Sequence, residues 1–556
     1  MKLSKIILPI FLSASVLTSC DFFDVNESDY YTLEHIKESM NHAKTFANNV
    51  YGYLRHDFCS VDGAMLDAAS DDALHLYETS AIQRFVNGTW AANKTVDDLF
   101  AHYYKGIHDA NFYLTNLAGN EFEDWQTNEE YELDMKEIRN LEHEVRFLRA
   151  YFYFELVRRY QNVPLVTDVI SQSDVNSLTP NSSQEILDFI MKECGEVAEL
   201  LPINYDGFSH KEYGRITKGM ALTLRSKAAL YSASPLFNTS NDKSKWVKAA
   251  EYSYAVIGQA NELGYQLDND FNNLFGPKNN GSKEVIMIRP AGTNNDFESK
   301  NFPFGVTGGN TTTCPSENLV SEFEMKDGTP FDWNKPEMKA DPYSNRDPRL
   351  EKTVVFNGMK WPKTPVEIFE GGANGLPLPK ATKTGYYLRK YVNNSISFEP
   401  GAPTAKANHN WVLMRYAEVL LNYAEAMANA YEGIEYTNDK CGMSALDAVN
   451  MVRQRKGVEM PKLENTLSNS DFLAKVKHER RVELAFEGHR FWDLRRWKEL
   501  DQNTTIYGVK VLKENDQINY TKVVVADRPV DNKMYFYPIK DSEIFKNPNL
   551  KQNPGW

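Results

Sequence analysis

Cysteine is scarce in this chain, with five residues among 556. So few thiols exclude a disulfide scaffold, which small secreted domains use to compensate for a small core. Basic charge is also in deficit, because 76 Asp and Glu outnumber 62 Lys and Arg and leave a formal net charge of −14. A phosphate backbone needs a basic face, so this balance argues against nucleic acid as a partner.

Long hydrophobic runs are also missing. The most apolar stretch, Ile6 to Leu17, is shorter than the ~20 residues that a helix needs to cross a bilayer. Hydrophobic residues make up 42% of the chain and charged residues 25%, values of ordinary globular proteins that exclude disorder. Aromatic residues are abundant, at 12%, and such rings can fill a core, line a binding face, or do both.

The first residues have the pattern of a secretory signal. Lys2 and Lys5 precede the apolar stretch, which ends in Leu17-Thr18-Ser19-Cys20. Small residues before a cysteine resemble a bacterial lipobox, in which the thiol is acylated and the cysteine becomes the new N-terminus; the alternative is an ordinary signal peptide with a chance cysteine. We therefore predict a signal peptide at 1–19 and an acylated tether at 20–40, anchored in the membrane through Cys20.

Helical periodicity dominates the rest of the sequence. Ser182 with Glu185 has the spacing of a capping box that opens a helix. Apolar residues at spacings of three and four predict helices at 145–160, 182–201, 217–234, 246–264, 409–431, 443–456 and 471–487. These helices come in pairs, which is typical of tetratricopeptide-like packing.

The predicted fold is mostly α, with tetratricopeptide-like helix pairs that form a right-handed superhelical frame. Residues 265–408 differ, because Gly, Pro, Asn and Thr concentrate there and only short strand-like runs appear. Long irregular segments inside a compact protein are usually functional. We predict a helical region at 41–264, a loop-rich subdomain at 265–408 with a few short strands, and a second helical region at 409–556, all within one compact unit.

Signatures of catalysis and metal binding are mostly absent. His143 and His478 each begin a sequence that fails the His-Glu-x-x-His pattern, and there is no P-loop or Gly-x-Ser-x-Gly elbow. The segment after Asp268 begins like a calcium loop but lacks its glycine and its final glutamate. We therefore predict no metal, no cofactor and no enzyme activity. A glycosidase needs only two carboxylates, so a surface glycoside hydrolase stays an alternative.

The run from His478 to Trp497, HERRVELAFEGHRFWDLRRW, is the most distinctive pattern. It resembles the signature of the SusD/RagB family of nutrient-binding outer-membrane lipoproteins. The lipobox, the LRAYF run at 148–152, the RYAEVLL run at 415–421 and the closing NPGW at 553–556 agree with that resemblance. The run itself has the features of a fold element, since Arg480 and Glu483 have a spacing that permits an ion pair. Its bulky rings, which would seat the helix end on the core, are Phe486, Phe491, Trp492 and Trp497.

The resemblance implies a location and a role. The protein would be lipid-anchored on the outside of the outer membrane of a Gram-negative bacterium, as a lid over a SusC-like TonB-dependent transporter. It would capture oligosaccharides and pass them to this partner without chemistry. A peptide-binding RagB-type role is the alternative within the family.

Candidate ligand residues follow from the chemistry of sugar recognition, in which rings stack on C–H faces and polar side chains bond hydroxyls. Family binding faces lie on loops of the N-terminal third and of the irregular middle. In the first region the candidates are Asp71, Asp72, Arg84, Trp90 and Asn93. Asp71 and Asp72 have the alternative of capping a helix, and Trp90 that of packing in the core.

The later candidates come from the loop-rich middle and the helix after it. They are Asn310, Cys314, Trp333, Tyr343, Trp361, Arg389 and Tyr416. Cys314 has the alternative of a small buried residue, which is common for a free cysteine. The set of Asp72, Trp90, Cys314, Arg389 and Tyr416 is similar to what fructan-binding members use, so the resemblance suggests fructan as one possible ligand.

Overall fold

The computed structural model describes residues 33–208 and 213–556. Cys20, the signal peptide and most of the tether therefore lie outside the described residues. The helices are α1 Leu33–Glu38, α2 Met40–Val50, α3 Gln83–Asn87, α4 Phe100–Asn116, α5 Tyr131–Tyr160, α6 Gln172–Val175, α7 Ser183–Ala198, α8 Lys218–Ala233, α9 Lys243–Ile257, α10 Ala260–Leu263, α11 Asp296–Asn301, α12 Glu317–Val320, α13 Pro336–Ala340, α14 Leu350–Thr353, α15 Tyr416–Ala430, α16 Ala445–Gln454, α17 Asn469–Glu483, α18 Arg490–Arg496 and α19 Asp541–Lys546. The strands are β1 Ala73–His75, β2 Val285–Asn294, β3 Thr313–Pro315, β4 Val354–Val355, β5 Lys360–Trp361, β6 Thr364–Pro365, β7 Tyr387–Leu388, β8 Ala407–Arg415, β9 Thr505–Glu514 and β10 Gln517–Asp527.

The long helices pack on one another in chain order. Helix α4 packs on α5, α5 on α7, α7 on α8, α8 on α9, and α9 on α15, which also contacts α16 and α17. The chain leaves this stack after α10 and rejoins it at α15, so the loop-rich segment is inserted between neighbours in space. The mostly helical fold with paired helices is confirmed, and so is the capping box of Ser182 and Glu185 at the start of α7.

Several helix boundaries differ from the sequence expectation. The helix expected at 246–264 is two helices, α9 and α10. Residues 407–415 are a strand that pairs antiparallel with β2, so the helix expected from 409 begins at Tyr416. Helix α5 starts at Tyr131 rather than 145, because its first half is too highly charged to show the apolar spacing. Helix α17 ends at Glu483, since Phe486 and Gly488 adopt left-handed backbone angles before α18 begins.

Two hydrophobic clusters are joined by the 478–497 run. The larger cluster fills the helical stack and includes Phe491 and Trp492. The smaller lies under the loop-rich segment, where Phe486 packs with rings such as Tyr386 and Trp411. Phe486, Phe491 and Trp492 therefore seat the end of the helix on the core, as expected.

The spacing of Arg480 and Glu483 permits an ion pair, but the two side chains have other partners. Glu483 instead accepts hydrogen bonds from three buried guanidiniums, those of Arg349, Arg415 and Arg455. Arg480 bonds Asp493, with 2.7 Å between Nε and Oδ2. Cations from distant parts of the chain reach Glu483 in the interior, so the spacing along one helix does not decide its partner.

No helix in the described ranges is long and apolar enough to cross a membrane. The four cysteines of the described part, Cys59, Cys194, Cys314 and Cys441, are buried and unbridged. Residues 33–208 and 213–556 contain no group of three His, Cys, Asp or Glu placed to hold a metal ion.

Candidate functional site

The short sheet of β1 and β3 brings the two candidate regions together. The strands are antiparallel, with Leu74 opposite Cys314, and the Leu76 amide donates to the carbonyl of Thr312 over 2.8 Å. The loops that follow β1 and precede β3 therefore emerge side by side.

A partly exposed surface forms where these loops meet. The Tyr77 hydroxyl donates to the Asn310 carbonyl over 2.9 Å, and Lys380 Nζ donates to Asn310 Oδ1 over 2.7 Å. The Asn310 amide in turn donates to the carbonyl of Ser299 over 3.1 Å. We call this the loop-junction surface and define it as Tyr77, Glu78, Phe304, Asn310, Lys380 and Lys383.

The loop-junction surface mixes half-buried rings with charged and amide groups. Glu78 and Lys383 form an exposed ion pair with 2.7 Å between Oε1 and Nζ, and the hydrogen bond from Lys383 lowers the pKa of Glu78. Partial burial raises the pKa of the Tyr77 phenol, so this hydroxyl stays protonated and donates at neutral pH. Tyr77 and the Asn310 amide use their donors inside the protein, so the surface offers a ligand the ammonium donors of Lys380 and Lys383 and oxygen acceptors beside two rings.

Glycine is required in the loop that presents Asn310. Gly305 and Gly308 have φ angles of +95° and +81°, which L side chains rarely adopt. A Cβ on Gly305 would overlap the Ala373 carbonyl oxygen, and one on Gly308 would overlap the Phe398 ring. The loop therefore packs tightly against Ala373 and Phe398, and this packing fixes the position of Asn310.

Asp71 and Asp72 point inward rather than toward a ligand. Asp71 is fully buried and forms ion pairs with Arg481 at 3.0 Å and Arg490 at 2.8 Å. Burial alone would raise the pKa of Asp71, but the charges of Arg481 and Arg490 outweigh it and hold that pKa well below the usual range. Asp72, also buried, bonds Arg481 with 2.9 Å between Oδ1 and Nε. Both carboxylates bind buried arginines next to the start of β1, so neither is open to solvent.

Trp90 is a core residue in this structure. Its side chain is 2% exposed and makes edge contacts with Phe85, Tyr537 and Trp556, with ring centroids 4.5, 4.8 and 4.7 Å away. A ring enclosed in this way has no face on which a sugar can stack. Trp90 therefore packs in the core, which was the alternative to its predicted role as a sugar-binding ring.

Three further candidates are buried. Cys314 lies within β3, where its thiol is enclosed, and Trp361 packs edge-on against Phe302 with centroids 5.6 Å apart. Tyr416, at the first position of α15, is 4% exposed at the base of an open cleft that Tyr265 also lines. Cys314 is therefore a small buried residue, which was the alternative to its predicted role in the ligand site.

The remaining candidates are at least partly exposed but scattered. Arg84 donates to the Thr95 carbonyl, and Asn93 lies on an exposed turn. The Trp333 indole donates to Glu317 over 2.7 Å, and Tyr343 stacks on Phe356 with centroids 4.2 Å apart. Arg389 lines a separate cleft. Trp333 and Tyr343 are linked through Glu317 and Tyr386, but the structure does not bring all five side chains together.

Among the candidates, Asn310 alone belongs to the loop-junction surface. Tyr77 is not among the candidates predicted from the sequence, although it follows the acidic turn closely and is a partly exposed loop ring, the role predicted for Trp90. Lys380 is not among them either, and it gives no local signal because its contact with Asn310 spans 70 positions in the chain.

Comparisons with known proteins agree along most of the chain. A family model described as "SusD family" matches residues 277–556, and one described as "Starch-binding associating with outer membrane" matches residues 21–230. SusD-like protein P2 of Formosa agariphila is 24% identical over 451 residues, a match that covers 76% of this chain and 75% of that protein.

Two solved structures from Bacteroides fragilis NCTC 9343 are similar in fold. One, a SusD-like protein, is 26% identical with a TM-score of 0.74, and the match covers 94% of this chain and 98% of that one. The other, described as a SusD-like carbohydrate binding protein, is 25% identical with a TM-score of 0.75, and the match covers 93% of this chain and 100% of that one.

Proposed function

Because this chain belongs to the SusD family, we propose that it is a cell-surface lipoprotein that captures oligosaccharides without chemical conversion. It hands them to a SusC-like TonB-dependent transporter in the outer membrane. Acyl chains on Cys20 hold it to the outer face of that membrane. The similarity to a B. fragilis protein described as carbohydrate binding supports a glycan as the ligand.

The observation that carries the proposal is the composition of the loop-junction surface. The Tyr77 and Phe304 rings are half-buried, which leaves part of each available for the C–H face of a sugar. Lys380 lies 2.7 Å from Asn310 Oδ1; its remaining ammonium donors and the second lone pair of that oxygen suit vicinal hydroxyls. These groups stand on loops held by buried contacts, which lowers the entropy lost on binding.

The same surface is poorly suited to hydrolysis. Of the six residues that define it, Glu78 is the one carboxylate, and it is paired with Lys383. Glycoside hydrolysis requires two carboxyl groups that flank the scissile bond. A binding role therefore needs no group that this surface lacks, whereas a glycosidase role does.

The identity of the glycan is proposed only as a class. The suggestion of fructan came from Asp72, Trp90, Cys314, Arg389 and Tyr416, and four of these side chains are buried. Fructan is therefore not part of the proposal. A peptide ligand remains the alternative within the family, and the binding experiment distinguishes it.

Isothermal titration against parallel panels of oligosaccharides and peptides tests the proposed ligand. We expect saturable heat from at least one glycan series and none from the peptides. The glycan that binds is then incubated with pure protein and assayed for new reducing ends. Saturation by peptides alone would replace the glycan with a peptide, and sustained release of reducing ends would make the protein an enzyme.

The Cys20→Ser substitution tests the anchor separately. Without the thiol there is no acyl attachment, and burial of the acyl chains is what holds such proteins to a bilayer. We expect the variant in the soluble fraction of cell extracts, with wild type in the outer-membrane fraction. Equal membrane retention of both proteins would rule out Cys20 as the anchor.

A further inference from the structure

A polar cleft apart from the loop-junction surface is lined by three basic residues, Lys352, Arg389 and Lys390. It has a volume of about 310 Å³, and its walls come from the turn at 271–277, from Lys352 of α14, and from the segment 389–394. Arg389 and Lys352 are half-buried in it. Lys390, beneath them, is fully buried and paired with Glu487 at 2.7 Å, so its charge is already balanced.

Arg389 has no carboxylate within ion-pair distance among the described residues. Its one side-chain contact runs from Nη1 to the Met359 sulfur, 3.1 Å away, and a thioether is a weak acceptor. Burial lowers the pKa of Arg389 more than the charge of Glu351 raises it. The guanidinium therefore loses hydration without gaining a comparable partner.

Other buried arginines nearby have strong hydrogen-bond acceptors. Arg349 bonds Asp347, Glu479 and Glu483, and Arg346 donates to the backbone carbonyls of Val320 and Phe323. Because desolvating a cation is costly, such pairing is the usual condition for burying one. Arg389 is not paired in this way, and its side chain lines a cleft.

The other groups in the cleft also suit an anion. Lys352 Nζ is 3.6 Å from the carboxylate of Glu351, which is itself largely exposed, so this pair is weak. Asn272, Asn393 and Asn394 line the same cleft, and their amides are potential donors. Donors from a guanidinium, an ammonium and amides are the combination that binds oxyanions.

We infer that the Arg389 cleft binds one oxyanion group, a carboxylate or a sulfate, of a ligand. The guanidinium binds the anion through two parallel hydrogen bonds, and Lys352 contributes a second charge. That this anion belongs to a saccharide rests on the proposed function; the anion site itself does not. The protein has a net charge of −14, so it repels anions at long range, and selectivity has to come from these local contacts.

The test uses inorganic sulfate, glucuronate and glucose 6-sulfate, each titrated at constant ionic strength into wild type, with glucose as the neutral control. We expect sulfate and at least one of the acidic sugars to bind saturably, and glucose not to bind at this cleft. Stronger binding by glucuronate would identify the group as a carboxylate, and stronger binding by glucose 6-sulfate as a sulfate ester.

Arg389→Met is expected to weaken binding of these anions about tenfold or more, the usual effect of losing hydrogen bonds from a charged group, with Arg389→Lys intermediate. Arg139→Met removes the same charge from an exposed arginine that pairs with Glu121, and it is expected to bind like wild type. Thermal melting of each variant confirms that it is folded.

Three results would overturn the inference: no saturable binding by any of the anions, equal affinity in the wild type and Arg389→Met, or equal weakening by Arg139→Met. Failure of the proposed function looks different. In that case sulfate binds and depends on Arg389, while the glycan panel gives no heat.

Discussion

Arg415 and Glu487 hold each other in a bidentate ion pair that is closed to solvent. Nε of Arg415 lies 2.7 Å from Oε2 of Glu487, and Nη2 lies 2.8 Å from Oε1. Arg415 ends strand β8 of the loop-rich segment, whereas Glu487 follows helix α17 in the 478–497 run. The pair therefore ties the segment to the C-terminal helices and gives the run a structural role.

Replacing Glu487 by Gln should destabilise the protein strongly. The substitution removes the carboxylate that pairs with buried Lys390 and one of the three that surround Arg415, and breaking a buried pair in this way costs about 3–5 kcal/mol. The free energy of unfolding, measured by urea denaturation, should fall by that amount. Glu121→Gln, which removes an exposed carboxylate paired with Arg139, serves as the control and should change little. A similar small loss for both variants would contradict a central role for the pair.

Replacing Trp90 by Ala should affect stability and not ligand affinity. The side chain is 2% exposed among three aromatic rings, and removing such a buried ring costs about 3–5 kcal/mol. Urea denaturation measures this loss, and titration with a bound glycan should give the wild-type affinity for the folded fraction. Trp125→Ala is the matched control, because that indole is 40% exposed. Weaker binding with unchanged stability would instead return Trp90 to the ligand site.

Replacing Tyr77 by Ala should weaken glycan binding with little effect on folding. Loss of a stacking ring costs about 1–3 kcal/mol in comparable contacts, and the Tyr77 ring is only half-buried. Tyr77→Phe keeps the ring but loses the hydrogen bond to the Asn310 carbonyl, so it should retain most of the affinity. Titration calorimetry measures both. Wild-type affinity in Tyr77→Ala would show that the ligand binds elsewhere.

Stability should depend on pH through His75. Burial lowers the pKa of His75 from 6.5 to about 4, against a weaker opposite effect of Asp62. Below pH 6.5 the unfolded chain takes up a proton that the folded protein refuses, so the stability linked to neutral His75 is present above pH 6.5 and lost as the pH falls toward 4. The folded-state pKa is directly measurable by NMR titration of the ring.

The variant His75→Gln isolates this contribution, because Asp57, with a pKa raised by burial to about 7, has the opposite pH dependence in wild type. The stability difference between wild type and His75→Gln should shrink between neutral pH and about pH 5. His108→Gln, a change at an exposed histidine, is the control for the substitution itself. A difference that is constant with pH would mean that His75 titrates normally.

The helical frame could be predicted because its signals are local. The capping box at Ser182 and the apolar spacing of α7, α8 and α16 each lie within one element. The start of α15 could not be predicted, because Leu413 continues the apolar spacing of the helix that follows it. Pairing of β8 with β2, which puts Arg415 opposite Val285, decides that boundary through residues far away in the sequence.

The candidate site was harder to predict for the same reason. An acidic pair such as Asp71 and Asp72 looks like an exposed turn until Arg481 is brought to it. Trp90 looks like a loop ring until Tyr537 and Trp556 surround it. Asn310 could be found because it lies in a Gly-rich loop, whereas its partner Lys380 has no distinguishing pattern of its own.

The contacts that hold β1 also determine when the loop-junction surface can form during folding. Arg481 and Asp71 are 410 positions apart in the chain, and contacts at such separation are among the slowest to form. A chain that ends before Arg481 has no cation to balance Asp71, so its first strand and the Tyr77 loop lack their support. Only a chain synthesised nearly to its C-terminus can therefore acquire binding competence, and shortened fragments are expected to be inactive even when they contain every residue of the loop-junction surface.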